Sequence, residues 1–149
     1  MKKLFVIKIN LQENWSNRDG GSLVVMHVTA LHIILCNYIK SKSVSGDGGA
    51  SVIKDCQELY LRHNKIINCS AVVAAAFSIN DAKSISFLKN EFKSNKAIDR
   101  AGGLLLNNIQ KVFLNNSVFE GNHADNDAGA IYFTVCTRIM MLFCKISTN

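Results

Sequence analysis

The chain has no proline in 149 residues and a single tryptophan. Its bends must therefore be made by other residues, and the polar, asparagine-rich segments between apolar stretches are the candidates. No helical heptad runs through it, and neither a G-x-G-x-x-G nor a phosphate-loop spacing is present, so the usual sequence marks of nucleotide binding are missing. Cys36, Cys56, Cys69, Cys136 and Cys144 show no C-x-x-C spacing, and an odd number leaves at least one thiol free. Buried thiols filling small core positions are expected, which favours a reducing compartment. His27, His32, His63 and His123 fall at unrelated positions and form no metal set, and no cofactor is expected. The formal charge is +6, yet the basic residues are scattered and form no basic motif, so nucleic acid is not an expected partner.

Long apolar runs are also scarce. Residues 23–39 come nearest, but the stretch is short for a membrane span and carries His27 and His32. It reads either as a core strand pair or as a membrane segment. Met1-Lys2-Lys3 followed by Leu4 to Ile7 resembles the start of a signal peptide, but Lys8 interrupts it and no small-residue cleavage site follows at the usual distance.

What the chain does have is an internal repeat. The phrase F-x-x-N occurs at Phe92 and Asn95 and again, 27 residues on, at Phe119 and Asn122. The longer pattern h-x-h-x-x-N-x-h-x-x-N-x-small reads Ile85, Phe87, Asn90, Phe92, Asn95, Ala97 in one copy and Val112, Leu114, Ser117, Phe119, Asn122, Ala124 in the next. Preceding copies begin at Leu59, Leu31 and Leu4, and a last one begins at Ile139. The best-matching repeats span 59–149, and the first, degenerate coil covers 4–30. Fixed-period self-similarity means stacked structural units.

Each copy carries a second strand signal. Gly20-Gly21, Gly48-Gly49, Ala75-Ala76, Gly102-Gly103 and Gly129-Ala130 are read as equivalent, followed by alternating pairs such as Ser22 and Val24, Ala50 and Val52, and Phe77 and Ile79. Period two means strand. A single coil of two or three short strands has nothing to bury its apolar face against, whereas stacked coils cover one another, with strands roughly 4.8 Å apart. The fold that follows is all-β, one domain, a right-handed parallel β-helix of about five and a half coils with about 27 residues per coil.

Stacking assigns roles to the remaining residues. Asn64 over Asn90, with Ser117 and Cys144 beyond, is expected to form an inward amide ladder, and Asn95, Asn122 and Asn149 a second one at a bend. Asparagine also tolerates the left-handed backbone of tight corners. Gly102, Gly103 and Gly129 are expected at a corner or a close backbone approach. The register predicts that Lys65 lies over Glu91, Lys93 over Glu120 and Arg100 over Asp127, all of opposite sign, with Lys111 over Arg138 as a like-charge exception.

F-x-x-N at Phe92 and Phe119, together with G-G-A at Gly48, Gly49 and Ala50 and G-A-I at Gly129, Ala130 and Ile131, resembles the repeat pair of the polymorphic outer membrane proteins of chlamydiae. The match is best from about 85 to 135 and poor over 4–37. The resemblance implies a β-helix of the pectin-lyase-like superfamily, displayed at the cell surface or outside the cell and associated with adhesion. It implies no enzymatic activity and an unidentified protein or carbohydrate partner, with membrane association only through parts beyond this sequence. The family's secretory signal and membrane barrel are not seen here.

An enzymatic alternative comes from polysaccharide lyases and hydrolases built on similar β-helices. Its candidates are Asp99, Asp125 and Asp127 as acids, with Arg100 for an acidic sugar. The sequence stops inside a coil, so a piece of a longer protein is expected, with end-to-end self-association through its open strand edges.

Overall fold

In the computed structural model, which describes residues 2–149, the protein is a parallel β-helix without a helical segment. Strands are numbered β1 to β18 along the chain. The largest sheet runs in the order β1 (Lys3–Ile7), β4 (Leu23–Ile34), β7 (Ser51–Arg62), β10 (Phe77–Leu88), β13 (Leu104–Asn115) and β16 (Ile131–Thr134), with β17 (Arg138–Leu142) also on β13. The second sheet stacks β2 (Asn10–Gln12), β5 (Asn37–Ile39), β8 (Lys65–Ile67), β11 (Glu91–Lys93), β14 (Val118–Glu120) and β18 (Lys145–Ser147). The third stacks β3 (Trp15–Ser16), β6 (Lys42–Ser43), β9 (Ser70–Ala71), β12 (Lys96–Ala97) and β15 (His123–Ala124). Each full coil thus has one long strand and two short ones, and every pairing is between neighbouring coils.

The columns read from the repeat are the core. Leu31, Leu59, Ile85 and Val112 stack in register, as do Ile33, Leu61, Phe87 and Leu114, and all are buried. On the second sheet Tyr38, Ile66, Phe92 and Phe119 form a column with no exposed surface. Residues 23–39 form β4, β5 and the bend between them; both strands pair with the next coil, and residues 30–34 and 37–39 pair with the first coil as well. Among the described residues no helix is long and apolar enough to cross a membrane. The first coil takes its place in this register, with Leu4 beside Leu31 and Leu11 beside Tyr38.

The inward amides work by a specific geometry. Asn90 accepts through Oδ1 from the Asn64 backbone N–H at 3.0 Å and donates from Nδ2 to the Leu61 carbonyl at 2.9 Å. Asn64 does the same one coil down, to Cys36 and Ile33, and Asn95 and Asn122 act likewise in the second ladder, which continues to Asn149. Each amide therefore closes the corner of the coil beneath it and satisfies backbone groups that a buried bend would otherwise strand. The first ladder ends at Ser117, whose hydroxyl accepts from the Asn90 N–H and donates to Asn115, so Cys144 is not a rung.

Three further expectations are corrected. The ladder asparagines are not the left-handed residues: positive φ falls one position earlier, at His63, Lys89, Ser94, Asn116 and Gly121, so the corner is turned before the amide points inward. The strand after the glycines is shifted by one residue in the first two coils. Leu23 and Ser51 align with Phe77, and Val25 and Ile53 with Ile79, so Ser22, Val24, Ala50 and Val52 are not their equivalents. Gly20 and Gly48, at φ of 65° and 60°, are turn residues preceding the shared positions, and the second coil takes up its extra residue before them, between Ser43 and Asp47. Gly102 and Gly103 do sit at a close approach, because a Cβ on either would collide with a carbonyl oxygen of Gly129 or Ala130 in the next coil.

The third correction concerns charge. Lys65 pairs with Glu91 at 3.9 Å and Lys93 with Glu120 at 3.8 Å, as the register requires. Arg100 instead turns to its chain neighbour Asp99, 3.3 Å away, and no ion pair joins it to Asp127. Lys111 and Arg138 do lie side by side.

Candidate functional site

Because the inward faces are filled, chemistry is confined to the outer columns and the bends beside them. Each long strand turns at a left-handed residue, His27, Asp55, Asp81 or Asn108, which divides the outer face of the large sheet into two panels. On the first panel Lys54, Asn80, Asn107 and Thr134 stand in one column. Asn107 donates to Asn80 across the coils at 3.2 Å, and Asn80 donates to Ser78 at 3.2 Å.

The bends after the third sheet form the wall beside this column. Asp47, Val73 and Arg100 rise on one side, with Asp99 and Leu105 completing a hollow of about 290 Å³. Asp19 lies in the wall one coil below Asp47. It accepts from the Asp47 backbone N–H at 3.0 Å and from Lys54 at 3.1 Å. The backbone donor first, and then the Lys54 ammonium, hold the Asp19 carboxyl below its ordinary range. The Asp47 carboxyl is pushed up, mainly by burial and next by the charge of Asp19. The two neighbouring carboxyls, Asp47 lining the hollow and Asp19 in the wall below it, are thus shifted in opposite directions.

The acids singled out from sequence lie on adjacent coils, the Asp127 N–H donating to the Asp99 carbonyl at 3.2 Å, but their side chains do not converge. Asp99 is bound by Arg100 and by the Asn126 amide at 3.0 Å. Asp125 faces His123 at 3.0 Å, and Asp125 and Asp127 are both exposed. Only Asp99 and Arg100 reach the hollow, and among the described residues no three His, Cys, Asp or Glu side chains are grouped to hold a metal. Asp47, Asn80, Asn107 and Thr134 escaped the sequence reading. The shared period of Asn80 and Asn107 was their available signal, and the shifted register of the second coil hid Asp47. The structural residues Asn64, Asn90, Asn95 and Asn122, with Phe92 and Phe119, are all buried.

The buried cysteines are poorly placed to act as nucleophiles. Cys36, Cys56 and Cys69 are buried, and burial pushes the Cys69 thiol up to about 11, so the reactive thiolate is scarce at neutral pH. Cys36 donates to the Val6 carbonyl at 3.3 Å, which marks it as a core filler. No family model, curated protein or solved structure matches this chain.

Proposed function

We propose that the chain is a non-enzymatic β-helix module of a surface-type protein, of the adhesin kind that its repeat resembles, which binds an extended carbohydrate partner along its outer columns. The observation that carries this reading is the Lys54, Asn80, Asn107 and Thr134 column bordered by Asp99 and Arg100. It offers donors and acceptors at one-coil intervals, the arrangement an extended polymer of hydroxylated units meets repeatedly. Beneath it β7, β10 and β13 are hydrogen-bonded on both sides, which leaves a peptide only the outer edge of β16 on which to extend the sheet. An array of plant, bacterial and animal glycans tests it. Saturable binding that weakens about tenfold in Asn107→Ala, roughly the loss of one good polar contact, supports the module. Failure to bind any glycan contradicts it.

A second reading, a polysaccharide lyase or hydrolase of the pectin-lyase-like superfamily, draws support from Asp47. A carboxyl pushed up by burial next to an ionised Asp19 is suited to proton transfer. Release of unsaturated or reducing sugar ends by the intact protein, abolished in Asp47→Asn, would favour this reading over the module.

A further inference from the structure

The second panel of the large sheet carries a different column. Phe5, His32, Tyr60, Ser86, Phe113 and Met140 follow one another at successive coils on the outer face. The first three rings are stacked, with centroids 4.6 Å and 4.7 Å apart and planes within 13°. The stack then breaks. Ser86 occupies the next rung, and an aromatic ring returns only at Phe113, two coils above Tyr60. Strand spacing leaves Tyr60 and Phe113 about 9.6 Å apart, so a ring placed at the level of Ser86 would lie about 4.8 Å from each, the spacing of the existing stack.

One and two coils above this vacant rung lies an electrostatic anomaly. Lys111 and Arg138 are in-register neighbours, a like-charge arrangement that is unfavourable on a sheet, and neither has an ion-pair partner among the described residues. They line an open hollow of about 410 Å³ with Gln110 and Thr137. Lys111 is two residues from Phe113 on the same strand. Arg62, likewise without an ion-pair partner among the described residues, stands two residues from Tyr60.

We propose that this face binds an acidic glycan: one sugar ring enters the rung over Ser86 between Tyr60 and Phe113, and a carboxylate or sulfate of the chain pairs with Lys111 and Arg138. The ring's C–H faces meet the aromatic planes, while its hydroxyls meet Ser84, Ser86 and the Glu58 carboxylate, which already accepts from the Tyr60 hydroxyl at 3.3 Å. A protein segment fits less well, because β10 is bonded to both β7 and β13 and offers it no backbone partner. The inference rests on the module reading and adds a second site and a charge class to it.

The test uses the whole chain with an oligogalacturonate, a sulfated heparin-type oligosaccharide and neutral cellohexaose, each titrated by calorimetry. One or both acidic probes should bind in preference to the neutral one, and the better of the two identifies the anionic group. Ser86→Phe should complete the stack, leave the denaturation midpoint unchanged or higher, and weaken acidic-glycan binding about tenfold or more. Lys111→Glu should raise the midpoint by replacing a repulsive neighbour with an attractive one, yet weaken the same binding. That opposition between stability and affinity is not expected of a purely structural residue. Glycan binding that Asn107→Ala weakens but Ser86→Phe and Lys111→Glu leave intact overturns this inference and spares the module. Equal affinity for the neutral probe, or displacement by an acidic tyrosine-containing peptide at lower concentration, overturns the acidic-glycan assignment. No binding to any glycan overturns both readings.

Discussion

Phe92 and Phe119 lie face to face in the core, with ring centroids 4.8 Å apart and planes within 2° of parallel. They are the two phenylalanines of the F-x-x-N phrase, so the period of the sequence is the separation of two stacked rings. Both are fully buried, and Phe92 also makes edge contacts with Phe77 and Phe87. Phe119→Ala should therefore cost about 3–5 kcal/mol, by lost burial plus an unfilled cavity. Phe113→Ala, on the half-exposed outer face, should cost less than about 1 kcal/mol. Urea denaturation of the two variants checks the contrast, and similar losses would mean that Phe119 does not point inward.

Asn90→Leu removes the amide that closes the corner between Leu61 and Asn64. The Asn64 N–H and the Leu61 carbonyl are then buried without partners, and a loss of about 1–3 kcal/mol follows. An unchanged denaturation midpoint would show that another group satisfies that corner.

The ladder was legible because stacking leaves few inward places for a recurring amide. From Leu59 onward the sequence repeats at 26 or 27 residues, and the columns read there are the columns of the core. The first two coils were harder to read in one segment. Gly20-Gly21 and Gly48-Gly49 look like the counterparts of Gly102-Gly103, but Gly20 and Gly48 serve a left-handed turn, and composition does not distinguish a turn glycine from a packing glycine. The site was less legible than the fold for a related reason. Apolar columns are constrained by the coils above and below, whereas outer side chains choose among several partners. Arg100 takes Asp99 from its own coil in place of Asp127 from the next, and period alone does not decide between them.

Tyr38 tests the core from the opposite direction. It occupies the column of Ile66, Phe92 and Phe119, fully buried, and its hydroxyl has no hydrogen-bond partner. Burial pushes that hydroxyl well above its ordinary range, so it stays neutral. Tyr38→Phe keeps the ring, including its edge contact with Phe77 at 5.2 Å, and removes the unpaired group. The variant should be more stable by about 1 kcal/mol or more, read as a higher denaturation midpoint. A lower midpoint would mean that the hydroxyl has a partner.

The carboxyl pair in the wall gives a pH signature. Asp47 has its folded value raised above the ordinary 3.8, so its contribution favours the fold at low pH and is lost as pH rises through the folded value. Asp47→Asn should therefore raise the melting temperature at pH 7, and the gain should vanish below about pH 3.8, where the wild-type carboxyl is protonated in both states. Asp19 has the opposite sign: its folded value is depressed, and the stability it contributes at neutral pH is lost as pH falls through that value. Asp19→Asn should lower the melting temperature at pH 7. Melting curves from pH 3 to 8 separate the two, and equal shifts of the same sign would contradict the assignment.

All of these readings depend on residues far apart in sequence standing in one column. Thr29, Gln57, Lys83 and Gln110 lie between paired positions on successive long strands and Thr137 stands at the same level just before β17, so Thr29 and Thr137 are separated by four coils. Spin labels at Thr29→Cys and Thr137→Cys, with Cys136 and Cys144 replaced by serine and the buried thiols left in place, measure that separation by pulsed electron resonance. Four strand spacings predict a backbone separation of about 19 Å, and a single distance peak close to that value after allowance for the label arms. A peak beyond about 35 Å, or a broad distribution without a peak, would contradict stacked coils and with them both binding sites.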